Sequence, residues 1–435
     1  MNNIERESLS VQSERALVVA VLLPDSKNDP NDPLAELRSL VATAGAEVVD
    51  QMVAKRRKPF PRLYVGSGKA EEIAARAEAN DADIVIFDND LSPAQIRDLE
   101  KIIDRKILDR SELILDIFAA HARTAESRLQ VELAQLEYTY PRLRNMWSHL
   151  ERIAGGAASA AGGIGTRGPG EKQIEIDRRL VQKRVSALKR EIAVIDKRKV
   201  RQVSDRDSIP SVCLVGYTNA GKSTAMHLLT GADVYIADKL FATLDTRTRK
   251  WDLGEGNDVL LSDTVGFVRD LPHNLVASFR ATLEEAIWAD LLIHVADASN
   301  ERVIDQIEAV DEVLEGLDCK GQRLLVLNKV DQIIDPTVRT VLYSKYPDSV
   351  FLSALTGEGA AGLIETVTER LLGGGQKVVV EVNCANGKAM GFIHKHMAID
   401  SETYEGSIAR MEGSLQKGQI PLLAHFGDDV KLIED

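Results

Sequence analysis

The chain has 435 residues and a formal net charge of -13, with 44% hydrophobic and 28% charged residues and three cysteines. That balance excludes a disordered chain and an integral membrane protein, and the length predicts two to four domains. Cys213, Cys319 and Cys384 stand too far apart for a disulfide framework or a zinc site, and the acidic total argues against a general nucleic-acid binder, although a net figure can conceal a local basic patch.

The first apolar run, Ala16 to Leu23, is too short to span a bilayer, and no lipidation pattern closes the chain, so a cytoplasmic location is expected. Up to about Leu108, strand-like runs such as ALVVAVLL and DIVIFD alternate with amphipathic stretches such as PLAELRSLVATAG and SPAQIRDLEKII. This pattern predicts an N-terminal α/β domain over residues 1–110. Leu129, Leu133, Leu136, Tyr140, Leu143 and Trp147 then recur at spacings of four and three, with Pro141 as a kink site, and Val181, Val185, Leu188, Ile192 and Ile195 repeat the spacing. A helical hairpin is expected over 111–207, with a glycine-rich tip at 155–170 that has few side chains able to bury a core. From Arg167 to Arg206 there are 13 Lys or Arg against 6 Asp or Glu, which is either a solvated helix face or a surface for RNA.

Residues 208–372 alternate strand-like and helical runs again, predicting a P-loop domain built on a mostly parallel sheet. Gly373, Gly374 and Gly375 mark a boundary, and VVVEVNC and TYEGSIARMEG predict strands of a small α+β C-terminal domain over 376–435. The expected fold class is therefore multidomain α/β.

Four segments of the P-loop domain carry chemistry. Gly216, Tyr217, Thr218, Asn219, Ala220, Gly221, Lys222 and Ser223, followed by Thr224, match G-x-x-x-x-G-K-[ST] between a predicted strand and a predicted helix. Glycines admit the phosphates to the backbone, Lys222 reaches the β and γ phosphates, and the Ser223 hydroxyl is a magnesium ligand. Asp263, Thr264, Val265 and Gly266 follow the run VLLS, so Asp263 is placed at a strand end to hold the metal, and Gly266 offers its amide to the γ-phosphate. In Asn328, Lys329, Val330 and Asp331, the Asp331 carboxylate can accept both N1–H and the 2-amino group of guanine, which adenine cannot supply. Asn328 is expected to tie loops together, the Lys329 stem to cover the ring, and a backbone amide of Ser353, Ala354 and Leu355 to approach the guanine oxygen.

Between the P-loop and Asp263 lie Phe241, Ala242, Thr243, Leu244 and Asp245, the place for a switch that senses the γ-phosphate. Thr243 is expected to be the second hydroxyl ligand of magnesium, with Thr246 and Thr248 as rivals. Lys222, Thr243 and Gly266 form the expected catalytic set, Ser223, Thr243 and Asp263 the expected Mg2+ ligands, and GTP and GDP the ligands. Phe267 stands where many GTPases carry a water-positioning glutamine, which predicts slow intrinsic turnover raised by a partner. Two other features mimic sites. Leu63 replaces the first glycine of the loop around Gly66, Ser67, Gly68 and Lys69, and Ala70 removes its metal hydroxyl, so a turn into a helix is expected. His394 and His396 are two apart, with no Cys or carboxylate cluster, and are expected as surface or strand residues.

PRLYVGSGKAEEI, DRSELILDIFAAHARTAESRLQVELAQLEY, GGIGTRGPGEKQIEIDRR, GYTNAGKST, LFATLDTRTR and DTVGFVRDLP together resemble the HflX family of translational GTPases over nearly the whole chain. Phe267 agrees with it, since these proteins are similar in carrying a hydrophobic residue for the glutamine. Thr246 departs from it, since proline usually follows the residue at Asp245. The resemblance implies binding to the large ribosomal subunit, splitting of stalled ribosomes with the glycine-rich tip directed to the peptidyl transferase centre, and ATP binding by the N-terminal domain. A monomer is expected. The competing reading is NTP-dependent RNA remodelling or ribosome assembly, and a passive scaffold is a third.

Overall fold

The computed structural model describes residues 14–140, 179–195, 209–231, 240–241, 247–254, 257–269, 283–317, 319, 321–372, 376–415 and 420–433. The expected tip at 155–170 lies outside them, as do Ala242, Thr243, Leu244, Asp245 and Thr246. By contacts the described residues form two units, one holding 14–140, 179–195 and 240–241 and the other the remainder.

In the first unit, β1 (Arg15–Leu22), β2 (Glu47–Lys55), β3 (Ile84–Phe87) and β4 (Lys106–Asp109) make a parallel sheet in the order β2-β1-β3-β4. The central strands β1 and β3 are almost wholly buried, as unbroken apolar runs covered by helices on both faces must be. The helices are α1 (Ala35–Ala44), α2 (Ser67–Ala79), α3 (Pro93–Ile103) and α4 (Arg110–His121). Ser92 and Gln95 close a capping box at the start of α3, and Asp109 caps α4 by accepting the Glu112 amide. Gly66, Ser67, Gly68 and Lys69 form the entry to α2, and Lys69 pairs with Glu72 inside that helix.

Two further helices, α5 (125–140) and α6 (179–195), belong to this unit. Arg184 meets Glu132 and Lys189 meets Glu137 at 2.7 and 2.8 Å, while Gln182 donates to the Tyr140 hydroxyl, so the two helices lie against each other. On α6, Val181, Val185, Ile192 and Ile195 are half-buried, as is Ala187, and Leu188 is fully buried. On α5 the expected face is only partly correct. Leu133 is buried, but Leu129, Leu136 and Tyr140 are half-buried, and the buried positions are Ser127, Gln130, Val131 and Ala134. Ser127 is buried because it is consumed at the helix start, where its amide and hydroxyl both engage Thr124.

In the second unit, β5 (Ser211–Val215), β6 (Arg247–Asp252), β7 (Asp258–Asp263), β8 (Leu291–Asp297), β9 (Gln322–Asn328) and β10 (Val350–Phe351) form a sheet in the order β10-β9-β8-β5-β7-β6. All pairings are parallel except β6 with β7. The helices α7 (Lys222–Thr230), α8 (Val303–Gly316), α9 (Pro336–Lys345) and α10 (Ala360–Leu372) accompany it. Strand order reverses at β5, because β7 lies on one side of it and β8 on the other. Loops leaving β5 and its neighbours therefore diverge and open a crevice at their carboxyl ends.

A four-stranded antiparallel sheet follows, β12-β13-β11-β14, from β11 (Gln376–Asn383), β12 (Met397–Glu405), β13 (Ile408–Leu415) and β14 (Val430–Ile433). His394 and His396 lie in neither a strand nor a metal cluster but in the last turn of α11 (Gly387–His396). His394 faces Glu402 at 3.4 Å, and the His396 ring packs on Phe392. Among the described residues no helix is long and apolar enough to cross a membrane.

Candidate functional site

The crevice is built from loops that end parallel strands. β5 is buried to Val215, and the chain then passes Gly216, where a Cβ would come within 2.1 Å of the Val295 carbonyl oxygen on β8. Only glycine lets the two backbones pass this closely. The loop continues through Asn219, which takes a left-handed φ of 60°, and Ala220 and Gly221 lead into α7. Thr224 lies in the first turn of that helix.

Lys222 is buried and its amine donates to the Gly216 and Tyr217 carbonyls at 3.1 and 2.8 Å. Burial pulls this amine down to about 8, and the nearby Asp263 carboxylate opposes that shift. A phosphate anion at this position would favour the ammonium form further. Asp263 ends β7 fully buried, and the Ser223 hydroxyl donates to it at 2.7 Å. Thr264 spends its hydroxyl on the Leu214 carbonyl, which locks the D-x-x-G segment to the strand that feeds the P-loop. Val265 is buried, and Gly266 lies so near Lys222 that a Cβ would sit 3.0 Å from its amine nitrogen.

The base-reading segments converge on the same loop. Asn328, buried at the end of β9, donates to the Ala220 carbonyl at 2.8 Å and accepts the Ala354 amide at 2.9 Å, so one side chain joins three loops. Lys329 turns the chain with a left-handed φ of 61°, and Val330 opens a short 3-10 turn that presents Asp331 at the surface. Ser353 donates its hydroxyl to Asp331 at 2.6 Å, orienting the carboxylate. The Ser353 and Ala354 amides are donated to Glu358 and Asn328, so both residues brace the loop, and Leu355 is 76% exposed beside them.

Phe241 is buried within the first unit, its ring 4.5 Å from that of Phe118 on α4. Thr248, a rival metal ligand, instead engages Ser262 and Glu285, because its place on β6 turns its hydroxyl toward β7. Among the described residues no group of three or more His, Cys, Asp or Glu is placed to hold a metal ion, so the site offers one carboxylate and one hydroxyl.

Families described as GTP-binding GTPase N-terminal, GTP-binding GTPase Middle Region and 50S ribosome-binding GTPase match residues 31–119, 121–206 and 211–329. The GTPase HflX of Escherichia coli K12 is 43% identical over 403 residues, covering 91% of this chain and 92% of that one. The chain belongs to the HflX GTPase family. The GTPase HflX of Lacrimispora saccharolytica is 44% identical over 85% of both chains, and that of Magnetococcus marinus 45% identical over 81% of both. A solved GTP-binding protein from Sulfolobus solfataricus, in complex with GDP, is 22% identical with a TM-score of 0.43, covering 82% of this chain and 98% of that one. As an HflX-family member the chain is a GTPase with a GTP-binding P-loop domain.

Two contributors to this HflX-family site escaped the sequence reading. Asp297, at the end of β8 and in register with Asn328, forms a 2.7 Å ion pair with Lys329 and holds its stem. Its signal was available, since the run ADLLIHVAD ends in a carboxylate at a carboxyl-terminal strand end. The other is the Tyr217 hydroxyl, which accepts the Arg269 amide, and no local motif announces it.

Proposed function

We propose that GTP binding lets this GTPase associate with the large ribosomal subunit and split stalled ribosomes, and that hydrolysis releases it. The observation that carries the reading is the apposition of Gly266 and Lys222 beside the Ser223–Asp263 pair, where a γ-phosphate would be sensed from two loops at once. A match of residues 211–329 to a family described as a 50S ribosome-binding GTPase supports the choice of partner.

Each residue has a distinct task. Lys222 places positive charge on the β and γ phosphates, the α7 amides receive phosphate oxygens, and Gly266 donates its amide only to a nucleotide that has a third phosphate. Asp331 selects guanine and Asn328 keeps the base loop at a fixed distance from the phosphate loop. Magnesium fits the donor set, since Ser223 and Asp263 are hard oxygen ligands already within hydrogen-bond distance of each other, and Thr243 would add a second hydroxyl. When bound, the ion supplies charge that neutralises the phosphate oxygens. Phe267 cannot orient a water, so turnover is slow until the ribosome supplies or positions the missing group.

The test is co-sedimentation of the purified chain with large subunits, with GDP or with a non-hydrolysable GTP analogue in magnesium buffer. Retention with the analogue and release with GDP is the expected outcome. Equal retention with both, or none with either, defeats the reading.

A further inference from the structure

The parallel ladder of β5 and β7 does not stop at the strand ends. Its last regular pair is Leu214 with Asp263, and a bridge then joins Tyr217 to Phe267, three residues on along one chain and four along the other. The extra residue lies in Thr264–Gly266, so this stretch arches between two fixed points. Beyond the arch, Thr218 donates its amide to the Phe267 carbonyl at 2.7 Å, and the Phe267 amide donates to the Gly216 carbonyl at 3.1 Å. Within the arch, Gly266 is so close to the P-loop that a Cβ would meet the Thr218 Cα at 2.9 Å.

Two residues past the bridge, Arg269 is buried, and a buried amide needs an acceptor. The Tyr217 phenol oxygen provides it at 2.8 Å. Tyr217 thus grips the D-x-x-G segment twice, by its backbone at Phe267 and by its side chain at Arg269. Any aromatic could fill the buried volume, but only tyrosine at this loop position adds an acceptor at the far end of the ring.

We infer that Tyr217 is a positioning residue for the γ-phosphate response: by holding Arg269 it keeps Gly266 beside Lys222, so that the Gly266 amide is set for the terminal phosphate before GTP arrives. GDP lacks the group that Gly266 would contact, so its affinity is indifferent to this grip. The inference rests on the GTP reading of the site.

Tyr217→Phe keeps the ring and the P-loop backbone and removes only the acceptor. In the full-length protein with magnesium, the expected result is GDP affinity within about twofold of the parent, with a non-hydrolysable GTP analogue bound on the order of tenfold more weakly and kcat lowered by a similar factor. Equal weakening of both nucleotides would make Tyr217 a general brace of the P-loop and overturn the inference. So would no change, or tighter binding of the analogue, which would mean that the grip opposes the third phosphate. Should the variant not fold, hydrogen exchange on the unaltered chain decides: the Arg269 amide is expected to exchange slowly with GDP and more slowly with the analogue, and fast exchange in both overturns it. An unaltered chain that binds neither nucleotide sinks the GTP reading itself, so the two failures are distinguishable.

Discussion

Asn328 serves two buried partners with one side chain, donating to Ala220 and accepting from Ala354. Asn328→Ala leaves a buried carbonyl and a buried amide without their partners, at about 1–3 kcal/mol each. We expect unfolding stability to drop by an amount of that order and GDP affinity to fall at least tenfold, the first measured by denaturation and the second by calorimetry. Asp331 is exposed and oriented by Ser353, so its exchange disturbs the fold little. Asp331→Asn turns an acceptor into a donor toward N1–H, and the preference for guanosine over adenosine nucleotides should fall by two orders of magnitude or more, about 3 kcal/mol. Retained preference in a competition assay would show that another group reads the base. Both residues were legible in N-K-x-D. So was the loop-tying role of Asn328, but not which residues it bonds, because hydrogen-bond partners far apart in the chain leave no local pattern.

Helices α5 and α6 show how far periodicity reaches as a guide to an element. On α6 the apolar stripe in the sequence is the stripe that packs, since long charged side chains hold every other face in water. On α5 the buried line shifts to include Ser127 and Gln130: bonds to Thr124 satisfy Ser127, and the Gln130 amide nitrogen reaches Glu126. Hydrophobicity alone therefore misplaces the stripe. Leu188 is the buried anchor of α6, and Leu188→Ala should cost about 2–4 kcal/mol in a denaturation midpoint experiment, whereas Val181→Ala, at a half-buried site, should cost less than half of that. The capping box of α3 makes a second element-scale prediction. Ser92→Ala should cost about 1 kcal/mol without affecting nucleotide binding.

Across the whole molecule, the pH dependence of stability has one identifiable contributor on α4. Burial raises the Asp116 carboxyl to about 6, with Glu14 adding to the shift and Lys106 opposing it. A carboxyl whose folded value lies above its unfolded one binds more protons in the folded state, so stability falls as pH rises from about 4 to about 6, and the penalty is complete above that. Asp116→Asn should therefore stabilise the protein at pH 8 by up to about 3 kcal/mol, and the advantage should vanish near pH 4. Thermal unfolding of both proteins at the two pH values measures it.

The identity of the chemistry was set by local sequence, because a phosphate loop, a metal carboxylate at a strand end and a guanine-reading carboxylate each occupy a few adjacent residues with constant offsets. The alternation of apolar and amphipathic runs likewise determined two α/β sheets, the second mostly parallel, and the strands of an antiparallel one. Tertiary structure decided what those groups touch: Asn328 reaching Ala220 across 108 residues, Lys329 held by Asp297, and Tyr217 holding Arg269 across 52. It also placed Phe241 on Phe118. The physical reason is the order of strands in the sheet. That order brings distant chain segments to one edge, and only there do short polar side chains find partners that neither composition nor period can encode.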